Sequence, residues 1–161
     1  IAKFMRWGSC SCHPTWFLKR EVCLKLHGYR KTPHCEDYDF MLRAINNGYK
    51  IGNIPKVELS YRIRKSGVSK SHEAEQFLLR DYLAQNMKRI DLLTEESITE
   101  FLDSEKFHRQ VEQLTRYKNE KQIIKNGSSI KKIKAATQIP KNCFFWRDIV
   151  EKTTLLLREH T

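Results

Sequence analysis

The alternation of apolar and polar positions divides the chain into segments of different period. Val22, Cys23 and Leu26 recur at helical spacing within Lys19 to Leu26, and Gly28 supplies a stop, so a short helix is expected there. A stronger pattern follows. Phe40, Met41, Ala44 and Ile45 form an i, i+1, i+4, i+5 stripe, preceded by Glu36, Asp37 and Asp39 and closed by Asn47-Gly48. Acidic residues suit a first helical turn because its unpaired amides and the macrodipole stabilise anions. Period two takes over in Tyr49 to Ile54 and Val57 to Ile63, which predict extended segments separated by Pro55; Phe4 and Trp7 with Gly8, Ser9 and Ser11 predict another before His13-Pro14-Thr15.

Beyond residue 72 the period is helical again. Phe77, Leu78, Tyr82 and Leu83, then Met87, Ile90 and Leu93, make one stretch, and Asp91 to Ser97 separates it from Ile98, Phe101 and Leu102. Residues 104 to 121 are polar and tolerant of helix, Asn126 to Ser129 form a loop, and Phe145, Ile149, Val150 and Leu157 can line one face after Pro140. The expected organisation is α/β over residues 1–72 and mainly α-helical over 73–161.

Charge sharpens this division. The 161 residues hold 30 Lys and Arg against 19 Asp and Glu, a net +11, distributed as +9 over residues 1–72, −3 over 73–121 and +5 over 122–161. A basic first block suits phosphate-bearing partners. With 40% hydrophobic residues the chain can bury a core, yet no apolar run approaches the roughly 18 residues of a membrane span. Five irregularly spaced cysteines do not read as a disulfide framework, so reduced thiols and a cytoplasmic setting are expected. No signal peptide is visible, and a start at Ile1 instead of Met leads us to expect residues upstream.

The chemistry concentrates around Glu36-Asp37. A carboxylate at a helix start is held in position by backbone N–H groups, and can act as a general base if it lies within hydrogen-bond reach of a hydroxyl. The ordered set His13-Pro14-Thr15, Arg20, Gly28-Tyr29, Glu36-Asp37-Tyr38-Asp39, Arg43, Gly48-Tyr49, Asn53-Ile54-Pro55, Tyr61-Arg62 and Ser69 resembles the second half of the catalytic domain of family-2 glycosyltransferases, which have the GT-A fold. The resemblance covers residues 3 to 72. It implies a partial GT-A (nucleotide-diphospho-sugar transferase) domain followed by a helical extension with a basic C-terminal segment. It also implies inverting transfer of a sugar from a nucleotide-sugar donor to an acceptor hydroxyl, in cell-surface polysaccharide or glycoconjugate synthesis.

On this resemblance Asp37 is the base, and Glu36 orients the helix start or contacts a saccharide or lipid-linked acceptor. His13 is an acceptor-site or loop-structuring residue, Arg62 and Arg64 neutralise donor phosphate, and His72 is a metal ligand. The plainer alternatives are a solvated surface His72, surface charges at Arg62 and Arg64, core roles for Tyr38 and Phe40, and a solvated or salt-bridged Asp39. The family's donor-side Asp-x-Asp motif has no counterpart, because Asp37-Tyr38-Asp39 lies within the base motif. A divalent cation, Mg or Mn, is therefore expected in a full-length enzyme and not in this fragment, which is expected to be inactive alone. The Gln-x-x-Arg-Trp motif of processive members is also missing, which favours addition of a single sugar.

Other readings compete. Cys10, Cys12, His13, Cys23, His27, His34 and Cys35 are crowded, but Cys10-Ser11-Cys12 lacks the usual zinc-ligand spacing. A non-enzymatic basic module for nucleic acid or an anionic surface is the alternative to the transferase; against nucleic acid, the cations are scattered and no base-reading motif occurs. Lys131, Lys132 and Lys134, followed by Phe144, Phe145 and Trp146, suit a peripheral contact with the cytoplasmic face of a membrane. Packing on the protein's own core is the plainer role for that face. An exposed sheet edge and apolar surface left by a missing half would favour a homodimer.

Overall fold

The computed structural model describes residues 5, 11–60, 62 and 72–149. The chain divides into two compact units, Ile1–Ser104 and Glu105–Thr161.

In the first unit, a 3₁₀ turn at His13–Thr15 with Pro14 in its first turn leads to helix α1, Arg20–Lys25. The helix ends where His27 (φ 56°) and Gly28 (φ 68°) both enter the left-handed region, and Gly28 N–H donates to the Cys23 carbonyl at 2.9 Å. This αL reversal satisfies a carbonyl that the helix end would leave open. Helix α2, Glu36–Asn46, is buried continuously from Tyr38 to Ala44, so more than one of its faces is covered. On one side Tyr38, Met41 and Leu42 pack with Leu79, Leu83 and Ile90; on another Phe40 and Ala44 meet Leu26. Full burial of each such side chain contributes about 1.5–3 kcal/mol relative to exposure. Helix α3 (Glu73–Gln85), a 3₁₀ segment (Met87–Leu92) and helix α4 (Glu95–Asp103) complete the unit.

The α/β expectation is overturned. The described residues carry helices and no strand or sheet, so they do not form an α/β GT-A domain. Residues 49–60 run as loop, with Val57 90% exposed and Ile54 and Leu59 also facing water. Their period-two pattern has the local look of a strand, but a strand is stable only when a neighbour pairs its backbone and covers one face. The extended segment expected around Phe4 and Trp7 lies outside the described residues, as do Ile63 and the loop at Lys65 to Gly67. Among the described residues there is no sheet edge for a homodimer to use.

The second unit is a set of local helical pairings. Helix α5, Glu105–Asn126, buries only Phe107, Leu114 and Tyr117 over its length. Gly127 allows the chain to turn: an added Cβ there would meet the Ile123 carbonyl oxygen at 2.6 Å. Helix α6, Ser129–Gln138, then packs back on α5 through the side that carries Ala135. A 3₁₀ turn at Ile139–Lys141 leads to helical residues 143–149. Among the described residues no helix is long and apolar enough to cross a membrane.

Candidate functional site

A cleft of about 380 Å³ in the first unit is lined by His13, Tyr29, His34, Glu36, Asp37 and Gln76. Three of the residues singled out in the sequence, His13, Glu36 and Asp37, therefore meet there. The 3₁₀ turn delivers His13, the αL reversal delivers Tyr29, and the start of α2 delivers the two carboxylates.

Asp37 is half-buried. Its Oδ1 accepts a hydrogen bond from the Tyr38 backbone N–H at 2.7 Å, and no donor among the described residues reaches Oδ2. One oxygen is thus tied to the helix start, in a side chain that lines the cleft. Glu36 is differently employed: its Oε1 accepts from the His34 backbone N–H at 3.1 Å, bracing the bend before α2. That bend holds His34 at φ 63°, unusual for a residue with a Cβ. Gln76 on α3 adds a second brace, its Nε2 donating to the His34 carbonyl at 2.9 Å. The His34 ring stacks on His72 at 4.1 Å.

Opposite lies an aromatic wall. His13 Nε2 and the Tyr29 hydroxyl share a hydrogen bond of 2.8 Å, and the His13 ring stands edge-on to Trp16 at 4.8 Å. Burial, reinforced by Cys23 and then Asp37, raises the pKa of Tyr29 above its ordinary value. Cys35, directly before Glu36, is no nucleophile: burial, then the Asp37 carboxylate, pushes its thiol up to about 12 against the opposing pull of Arg80. Among the described residues Cys12, Cys23, Cys35 and Cys143 are free thiols.

Beneath the cleft, Asp39 is fully buried between two arginines. Arg30 grips both of its carboxylate oxygens, and Arg43 Nε donates to Oδ2 at 2.9 Å. The arginines then reach outward. Arg43 donates to the Leu26 carbonyl at 2.5 Å and the Gly28 carbonyl at 2.6 Å, while Arg30 donates to the carbonyls of Ile90 and Leu93. Tyr29 therefore hangs between two points fixed to the same carboxylate.

The remaining expected site residues lie apart. Arg62 is exposed and does not line the cleft, and Arg64 lies outside the described residues. His72 sits at the N-terminal boundary of α3, stacked on His34, with Nδ1 3.9 Å from Glu75 Oε1. Among the described residues no group of three or more His, Cys, Asp or Glu side chains has the spacing to hold a metal ion together. Tyr29, His34 and Gln76 were not assigned roles from the sequence. Gly28-Tyr29 carried a local signal in the glycine; Gln76 comes from 42 residues beyond His34 and carried none.

Over 89 residues the chain is 35% identical to the O-antigen biosynthesis glycosyltransferase WbnJ of Escherichia coli. Half of the chain is similar to a glycosyltransferase. The match covers 52% of this chain and 35% of the relative, so the chain spans about a third of the length of the curated protein it matches. No family model and no solved structure matches the chain.

Proposed function

We propose that these residues form the acceptor-side part of a glycosyltransferase of polysaccharide synthesis, of the family-2 kind, in which Asp37 is the general base. The similarity to an O-antigen glycosyltransferase supports the reaction class. The observation that carries the residue assignment is the Asp37 carboxylate, with Oδ1 tied to the Tyr38 amide, in a cleft that it lines together with His13 and Tyr29.

In the reaction, an acceptor hydroxyl donates its proton to Asp37 Oδ2 as its oxygen bonds to the anomeric carbon of the donor sugar. The bond from that carbon to the nucleoside diphosphate breaks with its electron pair on the departing phosphate oxygen, inverting the configuration. The Tyr29 phenol and His13 orient the acceptor, and Glu36 keeps the bend before α2 in place.

The test uses the full-length protein that contains these residues. Asp37→Asn keeps the oxygen that accepts from Tyr38 but removes the base. Transfer to the acceptor should fall by about 10² to 10⁴, with the thermal midpoint unchanged. Wild-type transfer rates in Asp37→Asn would overturn the assignment.

A further inference from the structure

We propose that helix α6 is a docking surface for an anionic lipid bilayer. The helix shows two opposed faces. Ala135 is buried on the packed side, while Ile130 is 82% and Ile133 68% exposed. At about 100° per residue, Ile130 and Ile133 lie within roughly 60° of one another and point away from Ala135. Packing has left a pair of branched aliphatic side chains in water, on the side of the helix that the unit's own core does not use.

The helix itself carries charge of one sign. From Lys125 to Arg147 the chain has six Lys and Arg and no Asp or Glu, and Lys131, Lys132 and Lys134 on α6 are all exposed. Trp146 stands 59% exposed beside the C-terminal end of α6, where its indole Nε1–H donates to the Pro140 carbonyl at 3.0 Å. Exposed aliphatics, lysines that can extend toward phosphates, and a tryptophan with its polar edge satisfied are the components of an interfacial helix.

Charge complementarity selects an anionic bilayer as the occupant. A nucleic acid would use the lysines and leave Ile130 and Ile133 unburied; a second copy of the chain would bring the same positive surface against itself. Only an anionic membrane surface takes up both the cations and the aliphatic pair.

The test is sedimentation of the 161-residue chain with vesicles of phosphatidylcholine alone or containing phosphatidylglycerol. Binding should require phosphatidylglycerol and weaken as salt rises. The exposed double variant Ile130→Ser/Ile133→Ser should bind at least tenfold more weakly with unchanged helicity. Lys131→Gln/Lys132→Gln/Lys134→Gln should bind at least tenfold more weakly and lose most of the salt dependence. Equal binding to phosphatidylcholine vesicles would overturn the proposal. So would wild-type lipid binding by the isoleucine variant, RNA binding that needs the lysines but not the isoleucines in a chain that ignores vesicles, or an isoleucine-dependent dimer that does not bind lipid.

Discussion

The two units are held together in different ways. In Ile1–Ser104 an ionic centre is buried: Asp39 is fully enclosed, and through Arg30 and Arg43 it fixes carbonyls from Leu26 to Leu93. In Glu105–Thr161 the described residues bury no charged side chain, and the interior under α5 is sparse, with Ile130 and Ile133 left in water. Buried ionic groups have demanding geometry, so a unit built around them holds backbone in one arrangement, which a cleft with positioned carboxylates requires. A unit of local helical pairings has no such centre, and its chemistry is that of its surface.

Removing the centre should give the largest effect. Asp39→Ala leaves two guanidinium groups facing each other with no anion, and loss of one partner of a buried pair costs about 3–5 kcal/mol. Chemical denaturation should show that loss, and hydrogen exchange should confine it to residues before Ser104. Loss of protection in α5 or α6 of equal size would erase the distinction between the units. Asp37 makes the contrast sharper: it lies two residues away, on a different side of α2, and its replacement should touch transfer and not stability.

That contrast was partly legible in the sequence. Asp37 and Asp39 were separable because a two-residue step on a helix turns a side chain to another side, and a salt bridge was one of two fates foreseen for Asp39. Helices α1 and α2 were legible because both carried their own stop signals in Gly28 and Asn47-Gly48, positions that the structure uses at φ 68° and 79° for the glycines. The described residues of the segments expected at Tyr49–Ile54 and Val57–Ile63 run as loop instead of strand, since alternation reports only which side chains share a side. Whether a neighbouring strand is there to pair with is a non-local fact. The same limit applies to the cleft. His13, Glu36 and Asp37 were found from local motifs, whereas Gln76 enters through the packing of α3 on α2, and Arg30 gained its role from a carboxylate nine residues away.

A polar tie in the second unit tests whether it too has a centre. Tyr117 donates its phenol proton to Asp148 Oδ2 at 2.7 Å, and Lys121 Nζ lies 2.9 Å from the same oxygen. Because Asp148 is partly exposed, Asp148→Asn should cost only about 1 kcal/mol. Burial, followed by the bond to Asp148 and its charge, raises the pKa of Tyr117. A raised folded pKa contributes stability that is fully present below the unfolded tyrosine value of about 10 and is lost as pH climbs beyond it. Protection of α5 should therefore decline above pH 10, and less steeply in Asp148→Asn. A decline confined to the first unit, or one equally steep in the variant, would reject this account.

The smallest effect discriminates most finely. Thr94 and Ser97 form a capping box at the start of α4: Thr94 Oγ1 accepts from the Ser97 amide at 3.2 Å, and Ser97 Oγ accepts from the Thr94 amide at 3.0 Å. Thr94→Ala should cost about 1 kcal/mol. In a modular unit the loss would stay within α4. Here the boundary is tied on both sides of Thr94, since Arg30 donates to the Leu93 carbonyl and the Lys31 amide donates to Glu95 Oε1 at 3.0 Å. Fraying at Thr94 therefore loosens the arginine that holds Asp39. Exchange should accelerate at the start of α2 as well as in α4, and acceleration in α4 alone would show that the buried carboxylate does not couple the helices it touches.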